Sequence, residues 1–368
     1  MDPPHLYLRL LKSQNEMFII FIDKRVGVHM KNITTLGIDL AKNVFQLHGT
    51  DKRGKCVLKK RLTRAKLAEF IVKLPPCLIG MEACGSAHYW ARQFTSMGHT
   101  VKIMSPQFVK PYIKSSNKTD EKDAEGIAEA VTRPNMKFVA IKTQEQQDML
   151  LLHRARELAI KQRTAQSNQI RGLLAEYGIA VAKGLYQIKK LPDILDKNKE
   201  KLSEHAQKLF KQLHEHFKVF DDQVAEYETQ IKTLSGKDAI CQAIMEIEGV
   251  GPITASAAVA TIGDAKAFKR GRETAAWLGL VPKQRSSGGK EKLLGISKRG
   301  DNYLRKLLVH GARSVVRMCE VKTDKRSLWI ADKKNRCGAN KAAVALANKN
   351  ARIIWAIMAT GECYRKAA

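Results

Sequence analysis

The chain lacks the marks of a zinc-binding, disulfide-bonded or membrane-spanning protein. It has seven cysteines, an odd number, and no Cys-x-x-Cys pair. Neither a zinc site nor a disulfide framework is therefore expected, and a reducing cytosol is the simplest location for the protein. No apolar run approaches the roughly 18 residues that cross a bilayer. The run at residues 17–22 is short and is followed by charged residues, without a convincing cleavage site. We expect a cytoplasmic protein with no membrane partner.

Acidic residues are scarce relative to basic ones. The 368 residues include 65 Lys or Arg against 36 Asp or Glu, which gives a formal net charge of +29. A basic excess spread through a folded chain is expected of a nucleic-acid binder, with a ribosomal or membrane-surface protein as the alternative. The chain is long enough for two or three domains, each with its own core.

Hydrophobic periodicity divides the chain into four parts. Residues 1–30 precede the first periodic segment and are predicted to be a disordered extension or to follow a mis-assigned start codon. Residues 31–144 show strands and then strands alternating with helices, which predicts an α/β domain with a mixed sheet. Residues 145–236 are predicted to form a coiled-coil helical arm, with ordinary two-helix packing as the alternative. Residues 237–368 are predicted to be mostly helical.

The predicted arm is based on apolar residues that recur at steps of three, four and seven. Such a stripe is expected to be the contact face of each helix. Its members are Leu151, Leu158, Ala165, Ile170, Leu174 and Tyr177 in the first helix, and Leu209, Leu213, Phe217, Val224, Ile231 and Leu234 in the second.

Four carboxylates occupy positions where a metal site can form. Asp39 and Glu82 each end a short apolar strand, and Asp120 and Asp123 share one face of a helix. Clustering these charges would cost several kcal/mol, and Mg²⁺ (or Mn²⁺) would remove that cost, because hard cations prefer oxygen ligands. Two ions about 4 Å apart can stabilise the attacking and leaving oxygens of a phosphoryl displacement. Alternatively, Asp39 belongs to a turn and the two later acids to a solvated helix.

Residues 247–255 match a helix-hairpin-helix pattern. Gly249 and Gly251 lie in its turn, where glycine lets the backbone approach a phosphate and the next helix offers free N–H donors. The sequence therefore predicts that this turn binds nucleic acid. A packing joint between two helices is the alternative.

A second candidate site is the basic loop that contains Ser286 and Ser287. Residues 279–306 carry eight Lys or Arg and two acidic residues, and the glycines at 288 and 289 permit close backbone approach. A serine hydroxyl is a weak nucleophile until it is activated. The loop has no histidine, so a metal ion held by the acids could lower the hydroxyl pKa. Alternatively, the serines only bond phosphate. Candidates for nucleic-acid binding here are Lys290, Lys298, Arg299 and Arg305.

The last segment, residues 340–355, reads as an amphipathic helix. Its apolar positions are expected to belong to the core. Lys349 and Arg352 are further candidates for contact with nucleic acid.

Together these motifs resemble those of a known family. The stretches 37–42 and 118–124 around the acids, and 276–305 around the serines, resemble the DEDD insertion-sequence transposases (the one-ten insertion-sequence family). The resemblance covers about residues 33–360. Its acids follow the spacing of an RNase H-like fold of the RuvC resolvase type.

The resemblance implies a function for both sites. The acids and their metal would act with a serine that attacks DNA and forms a phosphoserine link, and the matching position is Ser287, with Ser286 as the neighbouring alternative. It also implies donor and target DNA and a structured noncoding RNA from the element as partners. Because two DNAs and several strand exchanges are involved, we expect a homodimer or homotetramer associated with the nucleoid.

Two other functions remain as alternatives at this stage. A metal-dependent junction resolvase or nuclease would use water as the nucleophile and form no covalent link. A non-catalytic architectural binder would use only the helix-hairpin-helix and the basic arm, and its acids would be dispensable. The serine loop favours a recombinase over a resolvase or nuclease. The four acids argue against a non-catalytic architectural binder.

Overall fold

The computed structural model describes residues 6–12, 17–23, 32–113 and 119–365 of the chain. These residues belong to two compact units, Met1–Thr143 and Gln144–Ala368. The division of the chain into four parts stays a prediction.

Two strands precede the main sheet of the first unit. β1 (Leu6–Lys12) and β2 (Met17–Asp23) pair antiparallel. The prediction of a disordered extension over residues 1–30 is therefore wrong for these two segments, because each forms a regular ladder with the other. The remainder of that range lies outside the described residues, and the mis-assigned start stays a prediction.

The first unit is built on a mixed sheet of six strands among the described residues. The strand order is β5-β4-β3-β6-β7-β8, in which β3, β6 and β7 run parallel and the other neighbours antiparallel. This arrangement confirms the α/β prediction and is consistent with an RNase H-like domain. The bounds are β3 (Thr35–Asp39), β4 (Val44–Thr50), β5 (Cys56–Thr63), β6 (Leu78–Glu82), β7 (Thr100–Met104) and β8 (Phe138–Val139).

Helices cover both faces of this sheet. Leu36 and Ile38 of β3 pack in a core with the first two helices, while the residue between them, Gly37, faces the fourth. Alternation along the strand therefore puts Asp39 on the same face as the fourth helix. The helices are α1 (Arg64–Val72), α2 (Ala87–Ser96), α3 (Pro106–Val109) and α4 (Asp120–Val131).

The second unit begins with two long helices joined by short ones. α5 (Gln144–Ala175) and α8 (Glu204–Lys237) pack against each other, and α6 (Leu185–Lys189) and α7 (Leu191–Lys197) lie between them in the chain. Ion pairs join Arg156 to Glu228 at 2.5 Å and Arg163 to Asp221 at 2.6 Å. From the first ion pair to the second, the residue number increases along α5 and decreases along α8, so the two helices run antiparallel. α5 and α8 therefore form an antiparallel helical pair, and the coiled-coil arm stays a prediction.

The contact stripe predicted for this pair is partly wrong. Leu151 and Leu158 are 60% and 56% exposed, and Ala165 is exposed too. The face of α5 that carries Arg156 and Arg163 meets α8 instead. In α8 the residues Phe217, Val224 and Ile231 are buried as predicted, but Phe210 is buried where Leu209 was expected, and Leu234 is exposed. In α5, Ile170 and Leu174 are buried as predicted, whereas Tyr177 is exposed and lies beyond the end of the helix.

The rest of the second unit packs around one apolar core. The last helix supplies the alanines, leucine and isoleucines expected of its apolar face. The helices are α9 (Ala239–Met245), α10 (Pro252–Ile262), α11 (Gly271–Trp277), α12 (Asn302–Met318), α13 (Lys325–Cys337) and α14 (Ala339–Thr360). Between α11 and α12 lies a β-hairpin of β9 (Pro282–Ser287) and β10 (Lys290–Ile296), where a loop was predicted. No helix in the described ranges is both long and apolar enough to cross a membrane.

A buried histidine joins three helices of this unit. His153 on α5 is 1% exposed, and its Nδ1 lies 3.0 Å from the hydroxyl of Tyr303 on α12. Its Nε2 lies 3.1 Å from Oγ of Ser256 on α10. Burial, with a smaller contribution from nearby Arg156, lowers the pKa of His153 to about 4. The imidazole is therefore neutral near pH 7 and exchanges hydrogen bonds with two hydroxyls.

This histidine makes the stability depend on pH in a defined direction. Its pKa is near 6.5 in the unfolded chain and about 4 in the folded one, so the unfolded state binds more protons between those values. The free energy of unfolding should fall by about 3 kcal/mol as the pH drops from 6.5 to 4. A His153→Gln variant should be less stable at pH 7.5 but show a shallower pH dependence in urea unfolding. Equal pH dependence of the variant and the parent would contradict this assignment.

Candidate active site

Helix α4 brings two acids to the sheet. Its N-cap is Thr119, whose side chain accepts a hydrogen bond from the Lys122 amide. Asp120 and Asp123 lie in its first turn, where acidic side chains are favoured by the partial positive charge of the helix N-terminus. Asp123 is 8% exposed, and its carboxylate lies on the buried side of the turn, whereas Asp120 is exposed to solvent.

Three of the four predicted acids lie together. Carboxylate oxygens of Asp39, Asp120 and Asp123 all lie within 4.8 Å of one another. Three hard oxygen donors at this separation match the ligand type and spacing that a divalent cation such as Mg²⁺ uses. The donor set therefore fits a metal ion and could hold one.

Glu82 lies at the end of the neighbouring parallel strand but outside that group of three. β3 and β6 pair in register up to Ile38 opposite Met81, so Asp39 and Glu82 follow at the same edge. Burial, and after it the negative charges of Asp39 and Glu82, raise the pKa of the Cys84 thiol. The structure brings Glu82 to the same edge, and its role as a fourth ligand stays a prediction.

The site depends on a close contact between Gly37 and α4. A Cβ built on Gly37 would lie 2.5 Å from the Ala128 amide nitrogen and closer still to the Ala124 carbonyl oxygen. Both atoms belong to the backbone, so they cannot move aside without shifting the helix. Glycine at this position thus lets α4 approach β3, two residues before Asp39.

Replacing Gly37 with alanine should displace α4 and its two acids. We expect a loss of about 2–4 kcal/mol in stability and a weaker affinity for Mn²⁺, measured by thermal unfolding and by titration calorimetry. Gly172→Ala is the matched control, because a Cβ there meets nothing within 4 Å and should raise helix stability slightly. Unchanged Mn²⁺ affinity in Gly37→Ala would show that α4 does not need this contact.

The two candidate serines lie at the tip of the β9–β10 hairpin. Ser287 and Lys290 pair across a two-residue turn in which Gly288 has φ 56° and Gly289 φ 76°. Two successive positive φ values define the type I′ turn that suits a hairpin, and glycine adopts them without strain. The serines are therefore exposed on strand residues rather than on an irregular loop.

The strand pairing separates the two serines onto opposite faces. Lys290 lies opposite Ser287, and Lys292 lies opposite Arg285, which is two residues from Ser287 and so shares its face. Ser286 lies opposite Glu291, and its Oγ is 2.8 Å from the Gln284 side-chain nitrogen, which donates to it. Ser287 thus has cationic neighbours and Ser286 has an anionic one.

Arg305 fastens the base of this hairpin. It is 8% exposed, and its Nη1 donates to the carbonyl oxygens of Leu278 at 2.9 Å and Arg299 at 2.8 Å. Its Nη2 donates to Oδ1 of Asn302. Leu278 precedes the hairpin and Arg299 follows it, so one guanidinium joins both ends. Arg305 was predicted to contact phosphate, and in the structure these acceptors occupy its donors.

Arg305→Lys should loosen the hairpin although it keeps the charge. A lysine ammonium cannot reproduce the planar fork that reaches two carbonyls and an amide together. We expect a loss of about 1–3 kcal/mol in stability and faster amide hydrogen exchange over residues 282–296. Arg317→Lys, on the exposed face of the same helix, is the control and should change little. Equal exchange rates in both variants would refute the clamp.

The other predicted nucleic-acid residues of this region differ in exposure. Lys290, Lys298 and Arg299 are exposed, as phosphate contacts require. Lys298 has φ 54°, and its amide donates to the Gly279 carbonyl at 3.2 Å, a hydrogen bond that joins the segments before and after the hairpin. Their contact with nucleic acid stays a prediction.

The turn predicted as a helix-hairpin-helix connects α9 to α10. Gly249 has φ 83°, and a Cβ there would lie 2.7 Å from the Gly311 carbonyl oxygen on α12. This glycine therefore serves helix packing inside the unit. A Cβ on Gly251 would meet nothing within 4 Å, and Gly251 precedes the first turn of α10. Binding of nucleic acid at this turn stays a prediction, and Gly251 has the open surroundings for it.

Sequence reasoning missed three residues that shape the site. Arg285 and Lys292 were not singled out, although Gly288-Gly289 between two short segments is a hairpin signal that pairs them. Gly37 stands directly before Ile38-Asp39, but its contact with α4 has no signal in the local sequence.

Family models and curated relatives match both units of this chain. Residues 36–179 match a DEDD transposase family model, and residues 241–327 match the model described as "Transposase IS116/IS110/IS902 family". A "Probable family 20 transposase" of Pseudomonas aeruginosa is 48% identical over 336 residues, 91% of this chain and 99% of that protein. The "Transposase for insertion sequence element IS1111A" of Coxiella burnetii is 44% identical over 366 residues, 99% of each chain.

A third relative is similar to this chain over nearly its whole length. The "Transposase for insertion sequence element IS1328" of Yersinia enterocolitica is 41% identical over 337 residues, 92% of this chain and all of that protein. Identity at this level across nearly the whole chain covers both the acids of the first unit and the serine hairpin of the second. The chain therefore belongs to the IS110 family of insertion-sequence transposases, which act on DNA by cutting and rejoining it.

Proposed function

We propose that this transposase cuts and rejoins DNA through a phosphoserine at Ser287, with Mg²⁺ or Mn²⁺ held by Asp39, Glu82, Asp120 and Asp123. The observation that carries the proposal for the serine is its place in the strand register. Ser287 shares a strand face with Arg285, Lys290 and Lys292, at the tip of a hairpin whose base is fastened.

That face suits attack on a phosphodiester. Lysine and arginine side chains can hold the non-bridging oxygens, and their charge favours the negative charge that builds up in the transition state. They also favour the ionised form of the attacking hydroxyl. Ser286 has Glu291 opposite it and accepts a hydrogen bond from Gln284. We therefore favour Ser287 over Ser286 as the nucleophile.

The proposed step conserves the energy of the DNA backbone. A bond forms from Ser287 Oγ to phosphorus while one phosphorus–oxygen bond of the DNA breaks. The serine proton passes to solvent base, and the leaving DNA oxygen takes up a proton. Reversal with a hydroxyl from another strand restores a phosphodiester and frees the serine, so rejoining needs no nucleotide cofactor.

The acids supply the second part of the chemistry. Asp39, Asp120 and Asp123 offer oxygens within 4.8 Å of one another, and a divalent ion bound there would act as a Lewis acid on phosphate oxygens. Asp123, which is nearly buried, fixes the inner side of the ligand set. Asp120 is exposed and leaves the outer side open to DNA.

A noncoding RNA of the element and a homodimer or homotetramer complete the proposal. The net charge of +29 gives the surface charge that an RNA partner and two DNAs require. Leu151 and Leu158 lie seven residues apart and exposed on α5, which supports pairing between arms of two protomers. RNA guidance rests on the resemblance to the family.

The test is to trap the intermediate. The protein is incubated with fluorescent donor DNA, the element RNA and Mg²⁺, and the products are separated under denaturing conditions. A labelled band at the size of protein plus DNA supports the phosphoserine. Cleaved DNA without such a band identifies water as the nucleophile, as in a resolvase, and overturns the proposal.

Mixing inactive variants tests the assembly. An Asp39→Asn protomer keeps Ser287, and a Ser287→Ala protomer keeps the acids. If assembly lets one protomer's acids serve another's serine, the mixture regains part of the activity that each variant lacks. No recovery at any ratio would place both parts of the site in one chain.

A further inference from the structure

A basic groove lies in the second unit, and its lining includes Lys349 and Arg352, the two candidates on the last helix. The predicted contacts of the serine hairpin do not line it: these are Lys290, Lys298, Arg299 and Arg305. It has a volume of about 1730 Å³ and is bounded by α11, α13, α14, the C-terminal segment and strand β10. Its lining includes eight Lys or Arg and a single acidic residue, Glu362. Such an excess of one sign inside a concavity attracts an anionic ligand.

Arg326 gives the groove a buried cation that forms no ion pair with a carboxylate of the described residues. Its side chain is 8% exposed, and its guanidinium donates to the Tyr364 hydroxyl at 2.6 Å, the Asn350 amide oxygen at 2.7 Å and the Glu248 main-chain carbonyl at 3.4 Å. Its Nε has no hydrogen-bond partner in the part of the chain that the structure describes. A buried charge with only neutral acceptors is costly, and an anion nearby would offset that cost.

Two more cations lie beside it. Lys349 and Arg352 line the groove one turn apart on α14, and Nζ of Lys349 is 4.6 Å from the ring centroid of Trp329. Burial, followed by repulsion from Arg326 and Arg352, lowers the pKa of Lys349. Three cations that repel one another, without an ion pair to a carboxylate among the described residues, form a place for phosphate groups.

The groove also offers apolar surface. Trp329 lines it, and so does Leu293 of β10, which is 66% exposed. Cations that track a backbone, together with aromatic and apolar side chains that receive unstacked bases, are typical of sites for single-stranded nucleic acid. In a duplex the bases are paired and stacked inside the helix, so they cannot contact these apolar side chains.

The groove wall leads to the reacting serine. β10 runs from Ile296, at the groove, to Lys290, which pairs with Ser287. Seven strand residues cover about 20 Å. A single strand of nucleic acid that is bound in the groove can therefore extend along β10 to the hairpin tip.

We propose that this groove binds a single-stranded segment of nucleic acid, with its phosphates at Arg326, Lys349 and Arg352 and its bases against Trp329 and β10. This inference rests on the proposed function in one respect, that the ligand is nucleic acid. It adds a binding site that is separate from the reacting phosphodiester. Its test uses affinity alone, so it does not depend on whether Ser287 is the nucleophile.

The experiment measures fluorescence anisotropy of labelled 20-nucleotide DNA, RNA of the same sequence and the DNA duplex, with full-length Ser287→Ala protein. The Lys349→Ala/Arg352→Ala variant should bind both single strands at least tenfold more weakly and the duplex no more than threefold more weakly. Because two phosphate contacts are removed, the slope of log K against log salt should become shallower by about 1.4 for single strands. Lys208→Ala/Lys211→Ala, two exposed lysines on α8, is the charge-matched control.

A second variant guards against a folding defect. Trp329→Leu keeps the charge and most of the apolar surface, and it should lower single-strand affinity at least threefold while leaving the salt slope unchanged. Equal losses for duplex and single strand in Lys349→Ala/Arg352→Ala, or an equal loss of single-strand affinity in the Lys208→Ala/Lys211→Ala control, would overturn the proposal. So would competition by a polyglutamate peptide as effective as unlabelled single strand. Equal affinity for DNA and RNA, or tighter binding of RNA, supports it and identifies whether the ribose is read.

Discussion

Ser287→Ala should reduce the covalent protein–DNA adduct by at least about a thousandfold, whereas Ser286→Ala should retain most of it. The serines are adjacent, but the register puts them on opposite faces of β9. Only Ser287 shares its face with Arg285, Lys290 and Lys292. The measurement is the amount of labelled adduct formed per minute, resolved on a denaturing gel, with both variants at equal concentration.

The controls for this experiment are set by the hairpin. Both substitutions remove one hydroxyl from exposed strand positions, so neither should change the unfolding temperature by more than about 1–2 °C. Adduct at the parent level in Ser287→Ala, combined with its loss in Ser286→Ala, would assign the chemistry to the other serine. Retention in both variants would remove the hairpin from the reaction.

Asp39→Asn and Asp123→Asn should abolish strand cleavage and metal binding while leaving the metal-free protein folded. Each change removes one charge from a group of three carboxylates within 4.8 Å, so it relieves repulsion in the absence of metal. For the parent, Mg²⁺ at 100 times its dissociation constant should add about 2.7 kcal/mol of stability. That increment should disappear in both variants, as measured by unfolding with and without Mg²⁺.

Glu69→Gln is the matched control for the acid variants. Glu69 is exposed on α1 of the same unit and lies outside the group of three, so its loss should leave the Mg²⁺ increment intact. Glu82→Gln tests the fourth predicted ligand, and a reduced increment would add it to the metal site. If Asp123→Asn keeps the full increment, the ion binds elsewhere in the protein.

Strands and helices of the first unit were predictable because their signals are local. The short apolar strands that are predicted to end at Asp39 and Glu82 are β3 (Thr35–Asp39) and β6 (Leu78–Glu82) in the structure. Both segments are short, nearly continuous apolar runs, and Pro75-Pro76 separates the second run from the helix before it in the sequence itself. Asp39 and Glu82 at strand ends followed directly from those assignments.

The hairpin of the second unit was missed for a physical reason. β9 and β10 are exposed on almost every residue, so they lack the apolar alternation by which a strand is recognised. Gly288-Gly289 is predicted to lie in a basic loop and to permit close backbone approach, although two glycines also suit a type I′ turn. Without the pairing, Arg285 and Lys292 could not be related to Ser287.

The two long helices show the limit of periodicity. Leu151 and Leu158 share a face of α5, as their spacing predicts, yet that face is exposed. Spacing reveals which residues lie together and not which face is covered. The choice is made by partners distant in sequence, here Glu228 and Asp221, which hold Arg156 and Arg163.

The amino-acid sequence alone determined the elements of the first unit, the excess of positive charge, the four acids with their spacing and the two serines next to Gly288-Gly289, because each of these depends on neighbours in the chain. Tertiary structure decided which acids meet, which face each serine occupies and what Arg305 binds. Those outcomes depend on atoms far apart in sequence: the backbone of α4 against Gly37, the register of β9 with β10, and the carbonyls of Leu278 and Arg299 on one guanidinium.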